Sequence, residues 1–287
     1  MQLKHYHPHT WRAYFLAVLI LFPFFFLAYG YYEQQHLKIK TIIIHNKALA
    51  EVIPDSTILF LSDLHITNRP SKIILKTLQA INKVQPDIIF LGGDYVDWRR
   101  TDDIYETAIQ FLTRLHAPLG VFAVLGDADS ASTRKSCEFC HQARGYGPST
   151  RHNVTMLKNS GKIIHTGHGR FFVYGINSED AEDISPKLRE KMPNDIPTII
   201  LAHRSVIFNS ISTESDTLVL SGDTHGGQIH LLLFLWKILG YKPDPDHMYG
   251  LFQNGNKSLY VTSGVGTSIL PIRIGVPPEV VVIKFAE

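Results

Sequence analysis

Five short apolar runs, each followed within three residues by an aspartate or a histidine, limit the folds open to this chain more than any other feature. The runs lie at 57–61, 87–91, 121–125, 198–201 and 217–220. They are rich in β-branched residues and do not alternate with polar ones, which is typical of strands buried on both faces. The segments 71–84 and 103–115 between them have helical spacing. The pattern predicts an α/β sheet protein.

The polar motifs that follow these runs are predicted to meet at one edge of a sheet. In open α/β sheets, functional groups collect beyond the carboxyl ends of the strands. The motifs are Ser62-Asp63-Leu64-His65, Gly92-Gly93-Asp94, Gly126-Asp127-Ala128-Asp129, Ala202-His203 and Ser221-Gly222-Asp223-Thr224-His225. Any single aspartate here has a structural alternative as a turn former or helix cap. Five such strand ends, with glycines that allow close backbone approach, favour a functional site.

The side chains at these strand ends carry the donors of a metal site. Asp63, His65, Asp94 and His225 offer oxygen and nitrogen ligands of intermediate hardness, which suit Mn, Fe or Zn. A shared carboxylate such as Asp94 can bridge two ions about 3.5 to 4 Å apart, a spacing that activates and directs a water nucleophile. The residues therefore predict a two-metal hydrolytic centre.

The order of the motifs resembles that of the calcineurin-like metallophosphoesterases. The family pattern is Asp-x-His, Gly-Gly-Asp, Gly-Asn-His-Asp, a lone His after a strand, and Gly-His-x-His, and the similarity covers roughly residues 57–285. Four C-terminal motifs resemble the bacterial, membrane-anchored branch: Tyr249-Gly250-Leu251-Phe252, Gly264-Val265-Gly266-Thr267, Leu270-Pro271-Ile272-Arg273 and Pro277-Pro278-Glu279. That branch includes UDP-2,3-diacylglucosamine pyrophosphatases of lipid A biosynthesis. The resemblance implies a four-layer α-β-β-α sandwich of two mixed sheets, with metals at the strand ends.

Carried over residue by residue, the resemblance assigns two sets of metal ligands. The first metal would be held by Asp63, His65, Asp94 and His225. The second would be held by Asp94, Asp127, His203 and Asp223. The same resemblance makes Asp94, Asp127 and His203 the candidate catalytic residues.

The second set departs from the family pattern at three positions. Asp127 replaces an asparagine, Asp223 replaces a histidine, and Ala128 replaces a histidine. Four carboxylates should neutralise two divalent ions and favour harder ions, so we expect Mn, Mg or Fe rather than Zn. Ala128 cannot protonate a leaving group, which favours pyrophosphate-linked substrates over alkyl phosphodiesters. Asp129 is expected to brace the backbone.

An uncharged apolar run at 13–32 is about long enough to cross a bilayer as a helix. Interfacial aromatic residues flank it, and we expect a single-pass anchor in the cell membrane. A cleaved signal peptide is the alternative, because Ala28-Tyr29-Gly30 resembles a cleavage site. The predicted organisation is an anchor over 1–35, a linker and first edge segment over 36–56, and a phosphoesterase domain over 57–287. Lysines on both sides leave the membrane face of that domain open.

Charge and cysteine content bear on partners and cofactors. The 28 basic and 26 acidic residues form no basic block, so nucleic acid is not an expected partner, and no protein partner is predicted.

Both cysteines lie in Cys137-Glu138-Phe139-Cys140-His141, which has the spacing of a c-type haem attachment site. The alternatives are a disulfide or redox dithiol, inert thiols, or a zinc clip with His152.

The apolar segment 231–239 is expected to be a core helix or an interfacial segment.

Two functions remain open. The leading interpretation is a membrane-bound metallophosphoesterase that cleaves a phosphodiester or pyrophosphate bond in a lipid-linked substrate such as UDP-2,3-diacylglucosamine. The alternative is a non-catalytic relative that acts as a binding or redox- or haem-linked membrane protein. Three substitutions in one half-site favour the alternative, whereas the intact first set of ligands and Gly226-Gly227 favour the hydrolase.

Overall fold

The structure is a computed structural model that describes residues 8–68, 71–98, 104–130, 151–178, 181, 188–193, 195–230 and 247–287. The helices are α1 (Pro8–Glu33), α2 (Lys47–Val52), α3 (Lys72–Val84), α4 (Ile104–Leu112) and α5 (Leu188–Lys191). The strands are β1 (Lys38–His45), β2 (Ile58–Leu61), β3 (Ile88–Leu91), β4 (Val121–Ala123), β5 (Val154–Met156), β6 (Ser160–His165), β7 (Arg170–Ile176), β8 (Thr198–Ala202), β9 (Thr217–Ser221), β10 (Gly250–Asn254), β11 (Lys257–Val261) and β12 (Glu279–Ala286). The motif of Cys137, Cys140 and His141 and the apolar segment 231–239 lie outside the described residues.

Within the described residues the strands form two six-stranded sheets. The first has the order β1-β12-β2-β3-β4-β5 and the second has the order β10-β11-β9-β8-β7-β6. In the first sheet β12 pairs antiparallel with β2, while the other neighbouring strands are parallel. In the second sheet the outer pairs β10-β11 and β6-β7 are antiparallel and the inner pairs are parallel. Both sheets are therefore mixed, as the sequence predicted.

Three separate apolar clusters occupy the three interfaces between the layers. The first lies between α3 and α4 and the outer face of the first sheet, and the second fills the space between the sheets. The third covers the outer face of the second sheet, where a 3-10 turn at Ser205–Ser210 and α5 pack on it. Burial on both faces explains why the strand sequences do not alternate. The α-β-β-α arrangement of the layers is confirmed.

Helix α3 illustrates how the sequence sets the outer layer. Its buried residues Ile73, Ile74, Thr77, Ala80 and Ile81 recur at helical spacing and face the first sheet. Ser71 caps the amino-terminal end, and the left-handed backbone of Gln85 ends the helix. The helix thus connects β2 to β3 over one face of the sheet, and this parallel crossover places both carboxyl ends at the same edge.

The two sheets approach each other closely at that edge. Gly222, which follows β9, leaves no room for a β-carbon because the side chains of Ser62 and Asp63 from the first sheet lie against it. Gly126 is likewise packed against Asp94. A side chain at position 222 would separate the polar loops of the two sheets, whereas one at position 126 would displace Asp94 within the first sheet. Gly222 therefore allows ligands from both sheets to share one site.

Helix α1 is long and apolar enough at Trp11–Glu33 to cross a membrane, with a mean hydropathy of 2.1. Most of its apolar side chains are exposed rather than packed on the domain. Its carboxyl-terminal end is the exception, since Gly30 is buried against Ile272 and Ile274.

Candidate metal centre

The candidate ligands occupy an unusual backbone conformation. Asp63, His65, Asp94, Asp223 and His225 have φ angles of 54°, 43°, 55°, 71° and 51°. Non-glycine residues seldom adopt positive φ, and such strain tends to collect at functional sites. Each strand therefore ends in a sharp turn that directs its polar side chains over the sheet edge.

Backbone hydrogen bonds hold the β2 and β3 turns side by side. The Asp63 N–H donates to the Gly93 carbonyl at 2.9 Å, and the His65 N–H donates to the Asp94 carbonyl at 3.0 Å. The Gly92 N–H donates in return to the Leu61 carbonyl at 2.8 Å. The two metal-binding motifs of the first sheet are thus fixed relative to each other before any ion binds.

Asp129 braces the same region and is fully buried. One carboxylate oxygen accepts the N–H groups of Asp94 and Gly126, each at 2.9 Å. The other accepts those of Tyr95 at 2.8 Å and Val96 at 3.4 Å. The predicted role of Asp129 as a backbone brace is confirmed.

The first group of candidate ligand atoms comes from Asp63, His65 and His225, which are all buried and lie within 4.8 Å of one another. The Nε2 atoms of the two histidines are 2.9 Å apart, and His225 Nε2 lies 3.8 Å from Asp63 Oδ1. Two nitrogens bound at right angles to a common ion at about 2.1 Å would be about 3.0 Å apart. The spacing of the two imidazoles therefore fits a shared metal ion.

The second group comes from Asp63, Asp94 and His203, which are also buried. His203 Nε2 lies 3.5 Å from Asp94 Oδ1 and 3.8 Å from Asp223 Oδ1. The other oxygen of Asp94 lies 3.5 Å from His65 Nε2, in the first group. Each oxygen of Asp94 thus faces one half of the centre, which is the position of a bridging carboxylate.

Unsatisfied polar atoms and shifted pKa values also fit a cation. Among the described residues, Asp63 Oδ2 and His203 Nε2 are buried without a hydrogen-bond partner. Burial raises the pKa of Asp63 to about 7, and the Asp94 carboxylate adds to the effect. Burial would lower the pKa of His203, but Asp94 and Asp63 outweigh it and hold this pKa well above its usual value. A divalent cation would stabilise the ionised carboxylates and replace the proton on the imidazole.

A hydrogen bond orients the imidazole of His203, and a buried arginine packs behind that of His225. His203 Nδ1 donates to the Gly92 carbonyl at 2.8 Å, so its Nε2 is left as the metal-binding lone pair. On His225, the Nδ1 atom lies 3.3 Å from the fully buried guanidinium of Arg273. Arg273 also donates to the carbonyls of Ser263 and Gly266. Sequence analysis included Arg273 in a family-like motif but assigned it no contact with the centre.

Asp127 is placed differently from the other predicted ligands. Its Oδ2 accepts from Arg204 Nε at 3.2 Å and from Arg204 Nη2 at 2.7 Å, while its Oδ1 accepts from the Ser178 hydroxyl. It belongs to neither group of clustered ligand atoms among the described residues. Sequence reasoning gave Arg204 no role, and because both side chains of this pair are exposed, no burial pattern pointed to it.

A cleft of about 280 Å³ opens over the ligands, and Asp94, Asp127, Asp223 and His225 line it. Ala128 forms part of its wall, and its N–H donates to Asp94 Oδ1 at 2.8 Å. A phosphate group in this cleft would reach the candidate ligands from both sheets. Ala128 has only a methyl group and offers this space no proton donor from its side chain.

Buried carboxylates and imidazoles thus form a candidate metal centre at the facing strand ends of two mixed sheets. The model of the calcineurin-like phosphoesterase family matches residues 56–226, more than half of the chain. The chain therefore belongs to the calcineurin-like phosphoesterases, a family of hydrolases that use divalent metal ions and act on phosphate esters.

Three bacterial relatives extend the similarity beyond the residues of the family model. The uncharacterized metallophosphoesterase YkoQ of Bacillus subtilis is 27% identical, over 92% of this chain and 96% of its own. The phosphodiesterase YaeI of Escherichia coli is 28% identical, over 79% of this chain and 81% of its own. The UDP-2,3-diacylglucosamine pyrophosphatase LpxG of Chlamydia trachomatis is 27% identical, over 78% of this chain and 82% of its own.

Proposed function

We propose that this protein is a membrane-anchored metallophosphoesterase that cleaves a phosphodiester or pyrophosphate bond in a lipid-linked substrate. The observation that carries the proposal is the position of Asp94, whose two oxygens face the two halves of one buried centre. Asp63, His65, Asp94 and His225 would hold one divalent ion, and Asp94, His203 and Asp223 would hold the other. When bound, such a pair of ions supplies a nucleophilic water and offsets the charge of the phosphate.

The protein side chains around the centre position its candidate ligands. The Gly92 carbonyl orients the imidazole of His203 through a hydrogen bond, and the guanidinium of Arg273 packs behind His225. Arg204 pairs with Asp127, which lines the cleft, and offsets its charge. The short 3-10 turn at Asp127–Ser130 presents the N–H of Ala128 to Asp94. These contacts would hold the polar wall of the cleft in place around a phosphate.

The proposal favours an anhydride bond over a simple ester. No imidazole stands at Ala128 to protonate an alkoxide, and general acid catalysis is typically worth about 10² to 10⁴ in rate. A departing phosphate needs little such assistance because it is stable as an anion. A pyrophosphate-linked substrate therefore suits this chain better than an alkyl phosphodiester.

The carboxylate content of the centre also supports a choice of metal. Asp63, Asp94 and Asp223 would hold the ions, and Arg204 offsets the charge of Asp127. Three free carboxylates make a harder donor set than the two that the family pattern provides. We therefore favour Mn, Mg or Fe over Zn in this centre.

A lipid-linked substrate is supported by the apolar helix and by one relative. The carboxyl-terminal end of α1 is attached to the phosphoesterase domain, because the Arg273 N–H donates to the Gly30 carbonyl at 3.0 Å. A leader removed after residue 30 would lose this contact. LpxG, which shares 27% identity, is named for a lipid-bearing nucleotide sugar. Retention of α1 would keep the centre beside the bilayer that carries such a substrate.

The test is hydrolysis of UDP-2,3-diacylglucosamine and of a generic aryl phosphodiester by the detergent-solubilised protein, with Mn, Mg, Fe or Zn. We expect metal-dependent turnover, with the pyrophosphate preferred, and its loss in an Asp94→Ala variant. Turnover that persists in Asp94→Ala, or that does not respond to added metal, would contradict the proposal.

A non-catalytic relative is the second candidate. The pairing of Asp127 with Arg204 and the absence of a side chain at Ala128 favour it, because both changes fall in the same half of the centre. Stable metal binding, measured by elemental analysis, with no turnover of either substrate would support it. A haem- or redox-linked role for Cys137, Cys140 and His141 stays a prediction, and an absorbance spectrum of the purified protein would test it.

A further inference from the structure

The carboxyl-terminal end of α1 is packed directly on the loop that supports the metal centre. The Gly275 N–H donates to Glu33 Oε2 at 2.9 Å, and Lys76 Nζ donates to the Gln35 carbonyl at 2.6 Å. Gly30 lies so close to Ile272 that an added β-carbon would be 3.0 Å from the Ile272 Cβ atom. The end of the apolar helix is therefore held at a fixed distance from the centre.

The loop that receives the helix also reaches the candidate ligands. The backbone of Arg273 binds Gly30, while its guanidinium lies 3.3 Å from His225 Nδ1. One residue thus connects the end of the apolar helix to a metal-binding imidazole. If α1 spans the membrane, the metal centre lies at the level of the lipid headgroups.

A groove of about 560 Å³ lies between the end of α1 and the segment 266–271, and we name it the anchor groove. Tyr31, Gln34 and Gln35 of the helix end line one side of it. His65 lines both the anchor groove and the cleft over the metal ligands, so the two spaces adjoin. The volume falls within the usual range of pockets for small molecules, about 300 to 1,000 Å³.

The rim of the anchor groove is apolar, exposed and held in an unfavourable conformation. Ile269 is 66% exposed and Leu270 is 47% exposed, and both line the groove. Ile269 has a φ of 59°, which is a rare conformation for a β-branched residue. The amide of Gln228 fixes the rim by donating to the carbonyls of Ser268 and Leu270 at 2.9 and 3.0 Å. A strained, buttressed loop that exposes two large apolar side chains points to a ligand.

The wall of the groove carries polar groups, one of them unsatisfied. Gln34, Thr67 and Asp97 contribute to the lining. Gln35 Oε1 is buried and accepts no hydrogen bond from the described residues. The groove therefore combines hydrogen-bonding groups with an apolar rim, as an amphiphilic ligand requires.

We propose that the anchor groove binds the part of a lipid-linked substrate that adjoins its phosphate. A sugar or glycerol unit would occupy the polar wall, and the first carbons of its acyl chain would lie on Ile269 and Leu270. The phosphate would then pass His65 into the metal cleft while the chain stays in the bilayer. This inference rests on the proposed function, because it assigns the substrate class of the same centre.

The experiment compares a nucleoside diphosphate sugar with and without acyl chains, using the full-length protein in detergent. Leu270→Gln should lower the ratio of kcat/KM for the acylated over the non-acylated substrate about ten-fold, mainly through KM. The matched control is Leu251→Gln, since Leu251 is 42% exposed on β10 and does not line the groove. The control should leave the ratio unchanged. An unchanged ratio in Leu270→Gln, or an equal fall in the control, would overturn the inference.

A binding measurement separates this inference from the proposed function. If wild-type protein hydrolyses neither substrate, the proposed function fails, and a fluorescent acylated phosphonate then serves as the probe. About ten-fold weaker binding by Leu270→Gln than by wild type and Leu251→Gln would still support the groove. Equal binding by all three proteins would overturn it.

Discussion

Single residues in one half of the centre distinguish this chain from the family pattern. Asp127 pairs with Arg204, Ala128 leaves space in the cleft wall, and Asp223 lies 3.8 Å from His203. The residues of the other half are unchanged and clustered. We therefore expect these residues to affect how a substrate is bound and cleaved more than whether a first ion can bind.

Restoring a proton donor at position 128 should broaden the range of substrates. We expect Ala128→His to raise kcat/KM for an alkyl phosphodiester by about ten-fold or more, because general acid catalysis is worth about 10² to 10⁴. Hydrolysis of a pyrophosphate should change far less. Ala128→Gln, which has a similar size but no transferable proton, is the control. A similar gain in both variants would show that proton donation is not the missing function.

Replacing Asp223 with histidine, the residue of the family pattern, should change metal preference. Asp223→His exchanges a carboxylate beside His203 for an imidazole, so the donor set becomes less negative and softer. We expect the affinity for Zn to rise relative to that for Mn, measured by calorimetric titration of the metal-free protein. Asp127→Asn, at a carboxylate that pairs with Arg204 and lies outside both ligand groups, serves as the control. An unchanged Zn to Mn ratio in Asp223→His would contradict the idea that Asp223 hardens the site.

At the scale of elements, the centre depends on contacts among the turns that follow strands of both sheets. The β2 and β3 turns exchange backbone hydrogen bonds, and Asp129 ties the turn after β4 to the β3 turn. Gly222 lets the turn after β9 approach Asp63 closely. The strand ends therefore act as one rigid unit rather than as independent loops.

Asp129→Asn should destabilise this unit. A carboxylate accepts hydrogen bonds on both oxygens, whereas an amide would direct its NH2 group at two backbone N–H groups. We expect a loss of about 1 to 3 kcal/mol in the free energy of unfolding, measured by urea denaturation. Asp55→Asn, at an exposed position, should change stability by less than about 0.5 kcal/mol. Equal stability of the two variants would refute the bracing role.

Across the whole molecule, the candidate ligands connect the two sheets. Asp63, His65 and Asp94 follow strands of the first sheet, whereas His203, Asp223 and His225 follow strands of the second. A bound ion would therefore join the two halves of the sandwich. Ligands that bind only the folded state raise its stability by mass action, by about 2.7 kcal/mol at a free concentration of 100 times Kd.

Metal should raise Tm, and it should do so more at pH 8 than at pH 6. Burial raises the pKa of Asp63 to about 7, so at pH 6 the folded, metal-free protein must release a proton from Asp63 before a cation binds. The raised pKa of His203 acts in the same direction. Below these pKa values, each drop of one pH unit should lower the affinity for the metal ion about ten-fold for each proton that must be released. Thermal unfolding with Mn or with a chelator at both pH values measures the effect, and an equal rise in Tm at both would contradict it.

Much of the architecture followed from local patterns in the chain. Non-alternating apolar runs predicted strands buried on both faces, and polar residues after them predicted a shared edge; the two mixed sheets and their layers confirm this. The cluster of Asp63, His65, Asp94, His203 and His225 could be foreseen because chain order alone places all five after strands. The domain boundaries and the ligand roles stay predictions.

What the sequence by itself determined is the set of local preferences: burial of the runs, helical periodicity and the turns at strand ends. Only the tertiary structure decided that Asp127 faces Arg204, that Arg273 lies behind His225, and that α1 packs on the loop at 272–275. These contacts join residues 48 to 243 positions apart, and no local pattern encodes them. Side-chain pairing across two sheets depends on how the layers pack, and that packing is settled only when the whole sandwich forms.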